Sequence, residues 1–507
     1  MSDQKPVVIW SREAAMAEGD CACASADPSR PVLRRLDLAD AGEQDCACPD
    51  SGVTTGLPLS PPALLWRRAP ELYRAPLPGQ HEVAFAPSPT AAITLLNGAA
   101  GRILDQFAVP RSIDQVAGEL PGAAAADARQ AALQLAQLGL LCPAEAVETP
   151  CAPAPHTLTA WLHVTNQCNL RCAYCYVRHS DEAMSTVTGR TAVEALIRSA
   201  VRHGFRAVKL KYAGGEPTLN FALVQLLHRH ALALTGQHGL ELQGVLLSNG
   251  VNLSPATCDT LREMGIRLAI SLDGVGAVHD AQRGAGTFER VARSVERAIA
   301  VGLRPHLSIT VTAQNVEGLP DVVAYALERD LLFNLNFYRP PNGTGGASHL
   351  QAENDRLIAG GHAALALIEL RMPAHSVVGG LLDRAHLGYP HSYPCGAGRN
   401  YVVVDHQGAV SACQMDMARP LGTIWAGDPL EIIRSARGRL QNTPVDDRGE
   451  CASCVWRYWC AGGCPLLRQR LTGRNDTRSP YCAVYRALLP EMLRLEGIRL
   501  LTTRATA

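Results

Sequence analysis

LTAWLHVTNQCNLRCAYC, residues Leu158 to Cys175, runs from a mostly apolar stretch straight into three cysteines spaced C-x3-C-x2-C. A short apolar run that ends in polar residues reads as a buried strand. Five more follow along the chain: AVKLKYAGG from Ala207, LQGVLLSNG from Leu242, IRLAISLDG from Ile266, RPHLSITVT from Arg304 and LLFNLNFYRP from Leu331. Helical stripes separate them, the clearest placing Val193, Leu196, Ile197, Ala200 and Val201 on one face. The alternation predicts an α/β core, a partial (β/α)6 TIM-like barrel over residues 156–340. Such folds carry their chemistry at the C-terminal ends of the strands, where this chain collects cysteines, glycines and small polar residues.

The chain holds 17 cysteines in 507 residues. In a reducing compartment, clustered thiols bind metal more often than they form disulfides. Cys168, Cys172 and Cys175 offer three thiolates, one fewer than a 4Fe-4S cube takes, which leaves one iron open. The amino and carboxylate groups of S-adenosylmethionine can chelate such an iron and bring the sulfonium within reach of a cluster electron. The radical so made takes hydrogen from unactivated carbon. Zinc is the competing reading of three clustered cysteines. Gly214-Gly215-Glu216-Pro217 ends the second strand, Ser248 and Asn249 the third, Ser271 and Asp273 the fourth, and Thr310 and Thr312 the fifth. That company favours iron-sulfur over zinc.

C-x3-C-x2-C followed by GGEP resembles the signature of the radical S-adenosylmethionine superfamily, over about Leu158 to Pro340. The resemblance implies that Cys168, Cys172 and Cys175 are catalytic. It implies cofactor contacts from Tyr174 beside the adenine, from the Gly214, Gly215, Glu216 and Pro217 turn at the methionine amino group, and from Ser271 at the ribose. Ser248, Asn249, Asp273 and Thr310 are further candidates. Arg283, in HDAQRG, is either a surface loop residue or an anchor for a carboxylate.

A second array follows: Cys395, then Gly408 and Cys413 in G-x4-C, then Cys451-x2-Cys454-x5-Cys460-x3-Cys464, and Cys482. It closely resembles the SPASM extension of radical enzymes that modify peptides and proteins. The resemblance implies two auxiliary 4Fe-4S clusters, three in all. Cys395, Cys413 and Cys464 would hold one, and Cys451, Cys454, Cys460 and Cys482 the other. The first then has an iron left for another thiol, a non-cysteine group or a substrate atom; a substrate thiolate there, joined to a carbon radical, would give a thioether. Zinc ribbons are the alternative for CASC and CAGGC. Trp456, Tyr458 and Trp459, in CVWRYWC, are expected to keep water from a cluster. Cys142, Cys151 and Cys258 read as incidental thiols.

Residues 1–60 are rich in Ala, Asp, Ser and Pro, without hydrophobic period, and are expected to be flexible. They contain DCAC twice, ending at Cys23 and Cys48. Residues 61–150 read as a winged-helix-like domain: a strand HEVAFAP, then helices carrying Ile103, Leu104 and Phe107; Ile113, Val116 and Leu120; Ala132, Leu135 and Leu138. From about His81 to Leu141 its arginines (Arg102, Arg111, Arg129) are outnumbered by Glu82, Asp105, Asp114, Glu119 and Asp127, which speaks against DNA. LLNGAAGRILDQFAVPRSIDQVAGEL, residues 95–120, resembles the PqqD-like element that captures leader peptides, which implies strand addition at the wing edge. A helical bridge is expected over 341–394, the cysteine-rich iron-sulfur domain over 395–490 and a tail over 491–507.

Net charge is +0, with 47 basic and 47 acidic side chains, so no field draws the chain to nucleic acid or an anionic membrane. Without an apolar leader or a membrane-length run, it reads as cytoplasmic. The resulting expectation is an oxidoreductase acting on a peptide or protein. It would bind a ribosomal precursor peptide through its leader, take electrons from a flavodoxin or ferredoxin-type reductant, and install a thioether or other cross-link. A formylglycine-generating sulfatase maturase is the alternative within radical chemistry. Against it, the aspartate base expected after the G-x4-C cysteine is Gln414 here, though Asp416 lies nearby. A non-catalytic, metal-bearing peptide-binding protein is the alternative of another class.

Overall fold

The structure, a computed structural model, describes residues 8–11, 64–89, 92–120, 123–145, 155–340, 348–377, 381–436 and 440–505. Both DCAC stretches and Cys151 lie outside them.

The N-terminal part is built from short strands: β1 (Val8–Ser11), β2 (Leu65–Arg68), β3 (Tyr73–Leu77), β4 (His81–Phe85, the strand expected in HEVAFAP), β5 (Ile93–Asn97), β6 (Arg111–Ser112) and β7 (Leu141–Pro143). They form a four-stranded sheet in the order β1-β5-β4-β3 and a three-stranded one in the order β6-β2-β7. The three expected helices occur at 98–106, 113–118 and 123–137. Asn97 caps the first through Ala100 N, and Ser112 with Gln115 forms a capping box on the second. Two features depart from expectation. The module has two sheets rather than a pair of wing strands, and the N-terminal segment supplies β1, antiparallel to β5 with Ile9 opposite Leu95. Leu120, assigned to a helix face, lies past the helix end and is exposed.

All six predicted barrel strands are present: β8 (Thr157–His163), β9 (Ala207–Ala213), β10 (Glu241–Ser248), β11 (Ile266–Ser271), β12 (His306–Val311) and β13 (Phe333–Phe337). They are parallel and neighbours in chain order. Their apolar faces and the connecting helices share one core. On helix 186–202, Val193, Leu196, Ile197 and Ala200 are buried, while Val201 in the last turn is exposed. The sheet continues past β8 into the C-terminal part through β14 (Tyr401–Val404), parallel to β8, and then antiparallel β15 (Ala409–Ser411) and β16 (Gly422–Thr423). Barrel and cysteine-rich segment therefore share one nine-stranded sheet. The boundary expected after residue 490 falls inside a helix, Cys482–Ala505, which carries Pro490 internally. This helix packs on helix 354–370 and on β3 and β4.

The four-stranded sheet docks on the C-terminal segment through rings. Tyr73 and Phe85 stack at 5.0 Å, Trp456 lies 4.7 Å from Tyr73 and 5.1 Å from Phe85, and Trp459 meets Phe85 edge-on at 5.2 Å. Trp456 and Trp459 thus hold the N-terminal module against the cysteine-rich segment. Arg457 adds a hydrogen bond to the Pro87 carbonyl at 3.0 Å.

Candidate active site at the mouth of the barrel

The parallel register of β8 and β9 sets Leu162 beside Tyr212 and His163 beside Ala213, so the loops leaving the two strands run side by side. Gly215 N donates to Thr165 O at 2.7 Å and Glu216 N to Gln167 O at 2.8 Å. A Cβ on Gly214 would stand 2.4 Å from Thr165 O, and one on Gly215 2.2 Å from Gln167 O. The glycines are there so that the GGEP turn can lie directly on the backbone leading to Cys168. Packing against that backbone already requires glycine at both positions, and both also line the cavity at the strand ends.

Glu216 is buried. Its carboxylate accepts from Ser248 Oγ at 2.9 Å, Asn249 N at 2.7 Å, Thr218 N at 3.1 Å and Thr218 Oγ1 at 2.6 Å, tying the ends of β9 and β10 together. Pro217 starts a short 3-10 turn behind it. Asp273 is likewise internal. Its carboxylate takes Arg283 Nε at 2.6 Å, the Tyr174 hydroxyl at 2.5 Å and Thr310 N at 2.8 Å. Arg283 is therefore a buried carboxylate anchor, its pKa held above the ordinary value because the attraction of Asp273 outweighs its burial. Tyr174 is fixed at its hydroxyl, leaving the ring at the cavity wall.

Cys168, Cys172, Cys175, Tyr174, Gly214, Gly215, Ser248, Asn249, Ser271 and Thr310 line one cavity of about 240 Å³. Other wall residues carry no signal in the sequence, among them Trp161, Ser308 and Asn336 within the barrel, Arg339 just past β13 and Met415 after Cys413; Gln414, at the position where an aspartate base was sought, joins them. The cavity thus lies between the strand ends and the cysteine-rich segment. Burial raises all three thiols, Cys172 to about 11. Leu170 N donates to Cys168 Sγ at 3.4 Å and Asn249 Nδ2 approaches it at 3.8 Å. Donors aimed at a sulfur suit a thiolate, the form in which cysteine ligates a metal.

The other seven cysteines sort into two neighbouring groups. Burial, with repulsion from the neighbouring Cys464 and Cys395 thiolates, pushes Cys413 up to about 12. Cys464 goes the other way: burial raises it, but Arg339 and Arg384 outweigh that, and Arg339 Nε donates to its sulfur at 3.4 Å. Asp383 holds Arg339 in a two-point buried pair at 2.6 and 2.7 Å. Cys451, Cys454, Cys460 and Cys482 repel in the same manner and line a second cavity, of about 400 Å³. Among the described residues, no three or more His, Cys, Asp or Glu side chains converge tightly enough for a single metal ion. Cys258 belongs to the barrel core.

Two buried arginines stand beside these groups. Arg448 is 1% and Arg468 0% exposed, and neither forms an ion pair among the described residues. Arg448 donates to Thr443 Oγ1, Thr443 O and Ala461 O. Arg468 donates to Gly462 O, leaving Nε and Nη2 without a partner among the described residues. Buried cations are costly unless matched by negative charge. The negative charges that act on them are the thiolates of Cys395, Cys451, Cys460 and Cys464, each on one or both guanidinium groups, and the Asp476 carboxylate on Arg468. Anionic clusters at the two groups would supply that charge, so the residues fit such cofactors. The clue in the sequence was an arginine three residues before Cys451 and another four after Cys464.

Residues 162–325 match the Radical SAM superfamily profile. The chain is 26% identical over 371 residues to pre-heme d1 synthase of Dinoroseobacter shibae, spanning 65% of this chain and 86% of that protein. It is 29% identical over 350 residues to mycofactocin maturase MftC of Mycolicibacterium smegmatis, spanning 65% and 83%. In fold it resembles native anSMEcpe with bound AdoMet and Cp18Cys peptide, with a TM-score of 0.55 and 20% identity over 68% of this chain and 99% of that one. No described helix is long and apolar enough to cross a membrane. A family of this kind implies S-adenosylmethionine and a 4Fe-4S cluster, and the barrel of this enzyme is a Radical SAM superfamily domain.

Proposed function

We propose that this chain is a radical S-adenosylmethionine maturase that modifies a ribosomally made precursor peptide by a thioether or other cross-link. The observation that carries the proposal is the shared cavity: the Cys168, Cys172, Cys175 loop, the strand ends, and Gln414, Met415 and Arg339 beside the first group of C-terminal thiols face the same space. One of the sequence relatives is a maturase, and the solved structure of similar fold holds a peptide.

In this proposal Cys168, Cys172 and Cys175 hold the catalytic 4Fe-4S cluster. Cys395, Cys413 and Cys464, and separately Cys451, Cys454, Cys460 and Cys482, hold two auxiliary ones. Bound together, the catalytic cluster and S-adenosylmethionine supply a carbon-centred radical by reductive cleavage. The chain's own residues position and enclose. Asp273 fixes Tyr174 and the Thr310 amide through one carboxylate, Glu216 locks the second and third strand ends, and Trp161, Phe337, Tyr338 and Met415 wall the space with carbon, which limits water. Arg339 places positive charge at Cys464, where the proposal puts a substrate thiolate on the neighbouring cluster. The N-terminal module is the leader-recognition element, domain limits follow the sequence expectation with the C-terminal helix joined to the cysteine-rich part, and a flavodoxin or ferredoxin-type protein is the reductant.

The formylglycine alternative has less support. Gln414 reaches the cavity and accepts from the Tyr401 hydroxyl at 2.9 Å, while Asp416 is engaged by Arg419 at 2.6 Å. The test is mass spectrometry of a small peptide encoded beside this chain, co-expressed with it. Loss of two hydrogens per event marks a cross-link, an aldehyde marks formylglycine, and an unchanged peptide with no release of 5'-deoxyadenosine marks a non-catalytic binder.

A further inference from the structure

The four-stranded sheet has two edges, treated differently. The β3 edge contains Pro76, and Leu77 at its end lies against Gly497 of the C-terminal helix. Proline and a covering helix are ordinary ways to close an edge. The opposite edge belongs to β5, and what covers it is β1, four residues from the far N-terminus paired antiparallel along Ile93–Leu96. Residues 12–63 separate β1 from the next described strand residues, so nothing local in the chain dictates this pairing. A short strand far in sequence from its partner, and the only described strand on that side of β5, has the geometry of peptide recognition by strand addition.

We infer that Val8–Ser11 is a tethered occupant of a peptide-docking edge: the chain covers β5 with its own N-terminal strand, and an extended peptide docks only by displacing it. The inference rests on the proposed function only for what the incoming peptide is. Strand exchange is measured without turnover, so its failure and the failure of the radical chemistry are separate results.

A strand joined covalently to the sheet it pairs with competes at an effective concentration on the order of 1 mM. A free peptide with a Kd of about 100 µM for the bare edge would therefore bind the intact chain about tenfold more weakly. The probe is a fluorescein-labelled peptide of residues 5–14, KPVVIWSREA, titrated by anisotropy into the full chain and into the full-length Ile9→Pro/Trp10→Pro variant. Ladder hydrogen bonds alternate along an antiparallel pair, so two adjacent prolines remove at least one donor whichever residue faces β5. The variant should bind about tenfold more tightly. Equal affinities would show that Val8–Ser11 does not compete, and no binding to the variant would show that β5 accepts no strand; either overturns the inference. Amide hydrogen exchange on the unmutated chain gives an answer independent of the variant's folding. Excess unlabelled peptide should deprotect residues 8–11 while 93–97 stay protected, and unchanged protection of 8–11 at millimolar peptide contradicts the proposal.

Discussion

Replacing Gly215 with Ala tests whether the GGEP turn serves the cysteine loop by contact. The added Cβ would lie 2.2 Å from Gln167 O, 2.6 Å from Gln167 C and 2.8 Å from Asn166 O, where 3.4 Å is ordinary contact. All three are backbone atoms, so no side chain can swing aside. Relief requires the strands' two loops to part by about 1 Å, since a carbon-oxygen contact that short is steeply repulsive. That motion breaks the 2.8 Å bond from Glu216 N to Gln167 O. Overpacking costs about 1–3 kcal/mol and the hydrogen bond about 1 kcal/mol more, so about 2–4 kcal/mol in urea unfolding. Cys168, one residue beyond Gln167, moves with the loop. The variant should lose iron from the three-cysteine loop and release of 5'-deoxyadenosine with it, while iron bound by the C-terminal cysteines persists. A Gly215→Ala chain of wild-type stability and full S-adenosylmethionine cleavage would refute the reasoning.

Asp273→Asn should cost about 3–5 kcal/mol in urea unfolding, because Arg283 is left as a buried charge. It should also weaken S-adenosylmethionine binding in equilibrium dialysis as Tyr174 loses its anchor. Burial holds His279 near 4, well below its ordinary 6.5, so the folded chain keeps it neutral while the unfolded chain takes up a proton below pH 6.5. Stability should fall on acidification from pH 6.5 towards 4, by on the order of 3 kcal/mol from this group. His279→Gln should flatten that slope in urea titrations, and an unchanged slope would contradict it. Phe85→Ala should cost about 3–5 kcal/mol and loosen the N-terminal module, seen as faster proteolysis between residues 64 and 145 with the barrel intact. Arg468→Met should shift the auxiliary clusters to more negative potential in redox titration, since a buried positive charge beside Cys451 and Cys464 is removed; an unmoved potential would remove the arginine from its assigned role.

The barrel was legible because β8 to β13 are mostly apolar runs ended by polar residues or glycine; β8 and β9 are buried throughout, whereas β12 alternates buried and half-buried positions. The cavity-lining residues at those ends followed from the same pattern. Of the N-terminal strands only β4, in HEVAFAP, was legible; the others have two to five residues and no period, and β1 finds β5 across most of a hundred residues. β14 to β16 were missed for the same reason, although YVVV at Tyr401 is apolar, and with them the continuity of the sheet. Pro490 would ordinarily end a helix, yet helix 482–505 passes through it, packed along helix 354–370. Asp273 and Glu216 were found as site residues, but their work is to position other groups, a role set by hydrogen bonds between strands that spacing does not encode. Arg448 and Arg468 look like surface charge in the sequence, and only burial beside the thiols gives them meaning.

The measurement that bears most directly on the central claim is electron-nuclear double resonance on the reduced, anaerobically reconstituted protein with S-adenosylmethionine labelled with 15N at its amino group. The account predicts hyperfine coupling between that nitrogen and a 4Fe-4S cluster, lost when Cys168, Cys172 and Cys175 are replaced by Ala although the remaining clusters stay. Absence of coupling in the unaltered protein, or its survival in the variant, would contradict the assignment of the open iron to this loop.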